Sequence, residues 1–124
     1  MNPEDFSRGV YCAVADSLTF DPVRGAVEIV GSVTDTGVTH RIHVLALDVT
    51  HFSWDGRPKE LNGLFELSTV EIRSQAAGWF VGFEPWSTSK LGFVCGTLQL
   101  NGTAVEGSGV WYQDSLDGPV PVSI

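Results

Sequence analysis

The chain has 124 residues and a formal charge of −8, from seven Lys and Arg against fifteen Asp and Glu. Such an excess of acid argues against nucleic acid or an anionic membrane as partner, because either needs basic residues to displace counterions; it suits a basic protein, although an acidic surface more often serves only solubility. The length fits one β domain spanning 1–124, and a 43% hydrophobic fraction with fourteen Gly and six Pro points to a globular fold rather than disorder.

The opening Met1-Asn2-Pro3-Glu4-Asp5-Phe6-Ser7 lacks the basic and then apolar segments of a secretion signal, and no apolar run approaches a membrane span. A cytoplasmic location is the expectation. Cys12 and Cys95 are then reduced thiols acting as small apolar side chains, with a disulfide between them as the alternative in an oxidising compartment. After this polar lead, Val10, Cys12 and Val14 alternate and are followed by Leu18 and Phe20, which predicts one strand from Val10 to Phe20. Asp21-Pro22 and Arg24-Gly25 form a turn.

Val27, Ile29 and Val33 alternate around Gly31, and Asp35-Thr36-Gly37 closes that strand as a hairpin turn. From Thr39 to Asp48 both faces are apolar: Ile42, Val44 and Ala46 share one, Leu45, Leu47 and Val49 the other. That pattern places the strand centrally. Phe52 and Trp54 extend it toward Asp55-Gly56-Arg57-Pro58, where Pro ends ladder pairing. Between Lys59 and Leu67 the residues Leu61, Leu64, Phe65 and Leu67 have helical spacing interrupted by Asn62-Gly63, so a short helical turn, a loop and a strand all fit.

Val70 and Ile72 alternate with Glu71 and Arg73, and Gln75 to Gly78 turns the chain. The stretch Trp79 to Leu100 reads as a core hairpin. Trp79, Val81 and Phe83 share a face, as do Leu91, Phe93 and Cys95, after which the apolar phase passes to Leu98 and Leu100. A phase change needs an extra residue, and Gly96 is where it fits. Asn101-Gly102 is a strong turn signal before Val105 and a last strand at Val110-Trp111-Tyr112; Gly118-Pro119 and Pro121 make the end an edge or tail. The sum is an all-β domain, an antiparallel sandwich or partly closed barrel of about seven to nine strands with at most one short helical turn.

Catalytic constellations are weak. Zinc would require His40, His43 or His51 with Asp48 or Asp55, and their spacing matches no standard site, so no metal or other cofactor is expected. Gly107-Ser108-Gly109 lies in a turn with no helix after it, unlike a nucleophile elbow. Cys95 sits in an apolar run that predicts an inert buried thiol. Asp114 with Asp117, or Glu66 with Glu71, read as surface charge rather than glycosidase pairs. The expectation is a protein that is not an enzyme.

Tryptophan is more informative. Trp79 and Trp111 lie in alternating apolar runs and belong to a core, whereas Trp54 and Trp86 adjoin turn residues. Each of these two is either a contact residue or a cover for the end of the sandwich.

The order His43-Val44-Leu45-Ala46-Leu47-Asp48-Val49, Phe52 and Trp54, Leu64 to Ile72, Trp79 to Phe83, and Gly92-Phe93-Val94-Cys95-Gly96-Thr97-Leu98 resembles small β-sandwich immunity proteins of bacterial polymorphic-toxin systems. The resemblance covers less than half of the chain and carries no invariant functional residue. It implies a cytoplasmic inhibitor that binds and neutralises a cognate toxin. A basic toxin would meet an acidic inhibitor quickly, with carboxylates standing where substrate phosphates lie. The candidate partner-binding residues are Trp54, Asp55, Glu84 and Trp86, then Asp114 and Asp117, all beside predicted turns. Two rivals remain: a small-ligand β-barrel with Trp79, Trp111 and Phe83 lining a cavity, and a carbohydrate-binding module with Trp54 and Trp86 on a platform. An edge strand near Trp111 could also pair between two copies.

Overall fold

The computed structural model describes residues 1–55, 65–84 and 90–122. It begins with a helix over the stretch read as a polar lead, and that helix takes the first residue of the expected Val10 to Phe20 strand. In α1 (Pro3–Val10) the Asn2 side chain accepts a hydrogen bond from the Asp5 N–H at 2.8 Å, Pro3 occupies the first turn, Glu4 and Asp5 face the positive end of the dipole and Arg8 the negative end. Phe6 and Val10, four positions apart, bury completely. The alternation of Val10, Cys12 and Val14 was therefore misleading: Val10 ends the helix, Cys12 takes a left-handed φ of 62°, and Val14 faces outward while Ala13 and Ala15 face in.

The remaining elements are β1 (Val14–Asp21), β2 (Ala26–Asp35), β3 (Val38–Leu47), β4 (His51–Asp55), β5 (Phe65–Glu66), β6 (Val70–Gln75), β7 (Gly78–Phe83), β8 (Lys90–Cys95), β9 (Thr97–Leu100), β10 (Thr103–Ala104), β11 (Val110–Gln113) and β12 (Val120–Pro121). Nine of these run four residues or more, and β5, β10 and β12 are two-residue bridges. They form two antiparallel sheets, ordered β10-β9-β3-β2-β1-β5 and β12-β11-β6-β7-β8-β4, packed as a sandwich rather than closed as a barrel. β3 is central as its two apolar faces required, and β7 with β8 makes the expected hairpin, pairing Trp79 with Cys95, Val81 with Phe93 and Phe83 with Leu91. Of the Lys59 to Leu67 stretch, residues 59–64 lie outside the described residues; Phe65–Glu66 is a short strand and Leu67 is buried.

Gly96 sits where the apolar phase changes. There the chain leaves β8 in one sheet and enters β9 in the other, and its partner makes the same crossing from β3 to β4. The Gly96 N–H donates to the Leu47 carbonyl at 3.0 Å, the Thr50 N–H donates to the Val94 carbonyl at 2.9 Å, and Asp48 bends at φ 55°. A two-stranded ribbon thus folds over a corner and keeps Leu91, Phe93, Cys95, Leu98 and Leu100 all inside.

α1 contacts β6 and β11, and the Ser7 hydroxyl donates to Gln113 Oε1 at 2.7 Å, the two buried polar side chains satisfying each other. Away from the helix, Phe20 of β1 stacks on Phe52 of β4 with ring centroids 4.5 Å apart, joining the two sheets. Trp111 lies on β11, which pairs with β6 on one side and β12 on the other, so it offers no free edge of the kind expected. Among the described residues no helix is long and apolar enough to cross a membrane.

Candidate protein-binding face

Of the expected residues, the outward face of the second sheet carries Glu84 at a hollow and Asp55 across the ladder from Lys90, which lines it. Register aligns Tyr112, Glu71, Gly82, Gly92 and Ser53 in one row across β11, β6, β7, β8 and β4. The row beside it runs Val110, Arg73, Phe80, Val94 and His51. Since side chains alternate across a strand, all of these share the outer face while Ile72, Val81 and Phe93 point inward.

Two glycines paired on neighbouring central strands leave a hollow of about 310 Å³ over the sheet. Phe80, Tyr112 and Thr69 line it together with Glu71, Glu84 and Lys90. The Phe80 ring leans across the floor: a Cβ placed on Gly82 would lie 3.3 Å from that ring and one on Gly92 3.6 Å away. The ring also carries the Arg73 guanidinium, 5.4 Å from its centroid, and Arg73 reaches Glu71 at 3.4 Å. Beside it, burial raises the Tyr112 phenol above the usual tyrosine range, and the negative charges of Asp114, Glu84 and Glu71 raise it further.

Glu84 lines the hollow, while Asp114, directly after β11, is exposed and does not line it. Asp55, at the end of β4, pairs across the ladder with Lys90 on the hollow's opposite side. Asp117 sits in an exposed turn where its N–H donates to Ser115 Oγ at 3.3 Å, and it does not line the hollow. Trp86 lies outside the described residues. Trp54 is a correction: it belongs to β4 rather than a loop, shares its row with the core residues Leu91 and Phe83, and packs half-buried against the core. Period-two alternation turns it inward and turns Asp55 outward.

Sequence reasoning missed Phe80, Tyr112, Gly82 and Gly92, and set Glu71 aside as surface charge. The available signal was a large aromatic at Phe80, out of phase with the inward Trp79, Val81 and Phe83. The glycine pairing appears only once β7 and β8 are in register.

Comparison with family models, curated proteins and solved structures finds no match. What the face can do follows from its own chemistry. Among the described residues no three His, Cys, Asp or Glu side chains gather closely enough to hold a metal ion. His43 instead faces Glu28 at 3.0 Å on the first sheet, with both side chains substantially exposed. Trp79 and Phe83 belong to the core of an unclosed sandwich, and Trp54 packs half-buried against that core.

Both cysteines are free, and neither has the low pKa of a nucleophile. Burial, with the Asp48 charge second, pushes the Cys95 thiol up to about 12, and burial also raises Cys12. At pH 8 a thiol of that pKa is ionised to only about one part in ten thousand. A thiol reagent is therefore expected to label Cys12 first and Cys95 at the rate of unfolding. Peptide mass spectrometry at timed intervals checks this, and equal labelling rates in the native protein would contradict it.

Proposed function

We propose that this is a non-enzymatic protein-binding domain, an immunity-type inhibitor that binds and neutralises a basic cognate toxin through the outward face of its second sheet. The observation that carries the reading is a hollow on the outward face of the second sheet, walled by Phe80 and Tyr112 and lined by Glu71 and Glu84. Aromatic anchors within a charged rim are the usual makings of a binding hot spot. The formal charge of −8 adds long-range attraction for a basic partner. An inhibitor of this kind acts in the cytoplasm of the cell that makes the toxin.

The test is a pull-down from a lysate of the source organism at low and then high salt. One stoichiometric basic protein, released by salt, toxic when expressed alone and harmless when co-expressed with this chain, is the expected result. With that partner in hand, the double variant Glu84→Lys and Asp114→Lys should slow association on the order of ten-fold at low salt, an effect that shrinks as salt rises. Both residues are exposed, so the melting temperature should stay within a few degrees of the parent. Stopped-flow binding reads the rate, and an unchanged rate at low salt would move the contact away from this face.

A further inference from the structure

We propose that the hollow over Gly82 and Gly92 receives the guanidinium of an arginine side chain from the protein partner; this deepens the inhibitor reading above and rests on it. Shape comes first. The Phe80 ring lies over both paired glycines and Tyr112 lines the same hollow, so the space is walled by flat rings. A planar guanidinium fits such a space and stacks on aromatic faces, whereas an ammonium is a compact and strongly hydrated point charge.

The chain itself already displays this chemistry at one end of the hollow, where Arg73 lies over Phe80 and reaches Glu71. Charge fixes where a second guanidinium goes. Tyr112 on β11 and Lys90 on β8 line opposite sides of the hollow, with Glu84 between them and Lys90 facing its cross-strand partner Asp55. The incoming arginine therefore sits toward Tyr112, where Glu84 offers carboxylate oxygens to its forked N–H donors.

Two blocked pentapeptides differing only in carrying two arginines or two lysines test the proposal against the full isotope-labelled chain by NMR titration. The arginine peptide should move the Gly82 and Gly92 amide signals saturably, and the lysine peptide should bind about ten-fold more weakly, the difference expected of one stacked, bidentate contact. Gly92→Val should abolish the response, since its Cβ would make only ordinary contacts with Phe80 and Ser53 while its methyls fill the floor. Should that variant not fold, Glu84→Gln on the exposed rim should weaken the arginine peptide selectively. Equal binding of both peptides, or shifts that map away from Gly82 and Gly92, would overturn the arginine site and leave the inhibitor reading to the pull-down. Arginine-selective binding at these glycines combined with an empty pull-down would keep the site and retire the toxin as its partner.

Discussion

Phe6→Ala is expected to lower the stability of the fold by about 3–5 kcal/mol, the usual cost of emptying a fully buried phenylalanine site. A helix of eight residues has no appreciable stability alone in water, so α1 exists because its apolar stripe is packed. Phe6 and Val10 supply that stripe, and the buried Ser7–Gln113 hydrogen bond sets its depth against β11. Loosening the helix would open the Gln113 amide to water and expose β6 and β11 together. Urea unfolding measures the effect, with the midpoint falling while the slope stays near that of the parent. A loss below about 1 kcal/mol would mean that α1 lies outside the cooperative core.

Gly31→Ala should cost about 3 kcal/mol, the upper end of what overpacking does. Gly31 pairs with Ala15, next to the irregularity in β1 between Ala15 and Ser17, and a Cβ there would run into the Val14 carbonyl and come within 2.9 Å of the Ala15 Cα. Both obstacles are backbone, which cannot rotate aside as a side chain can. Gly102→Ala provides the contrast. Its Cβ would meet nothing within 4 Å, and only the left-handed φ of 82° opposes it, a strain of about 1–2 kcal/mol. Thermal unfolding of the two variants should therefore rank Gly31→Ala well below Gly102→Ala. The reverse order would show that the approach of β1 to β2 relaxes at little cost.

Much of the architecture was legible because strand signals are local. Thr36-Gly37 and Asn101-Gly102 carry the left-handed angles of two-residue hairpin turns, and the phase change at Gly96 marks the crossing between sheets. The helix was overlooked because it is short and its last residue, Val10, falls in step with Cys12 and Val14. Its own marks were present in Asn2-Pro3-Glu4-Asp5 and in the spacing of Phe6 and Val10. The candidate site divides along the same line. Glu84, Asp114 and Asp55 stand out as acids at strand ends, but the hollow needs residues from β6, β7, β8 and β11 in register, which no single stretch encodes. Trp54 was misjudged because nearness to a turn says nothing about which face of a strand a side chain takes.

The Ser7–Gln113 bond joins positions 106 residues apart, and Met1 likewise meets Ala104 and Glu106 through backbone hydrogen bonds. During synthesis the first turn of the chain must therefore wait, unpacked, until β11 has left the ribosome. Closing so long a loop late makes for slow folding and leaves the apolar edge of β6 uncovered in the meantime, open to association with other nascent chains. If a partner is bound through the face built on β6 and β11, only a chain that has finished folding can bind it, so newly made copies become competent to bind after a delay set by folding and not by translation.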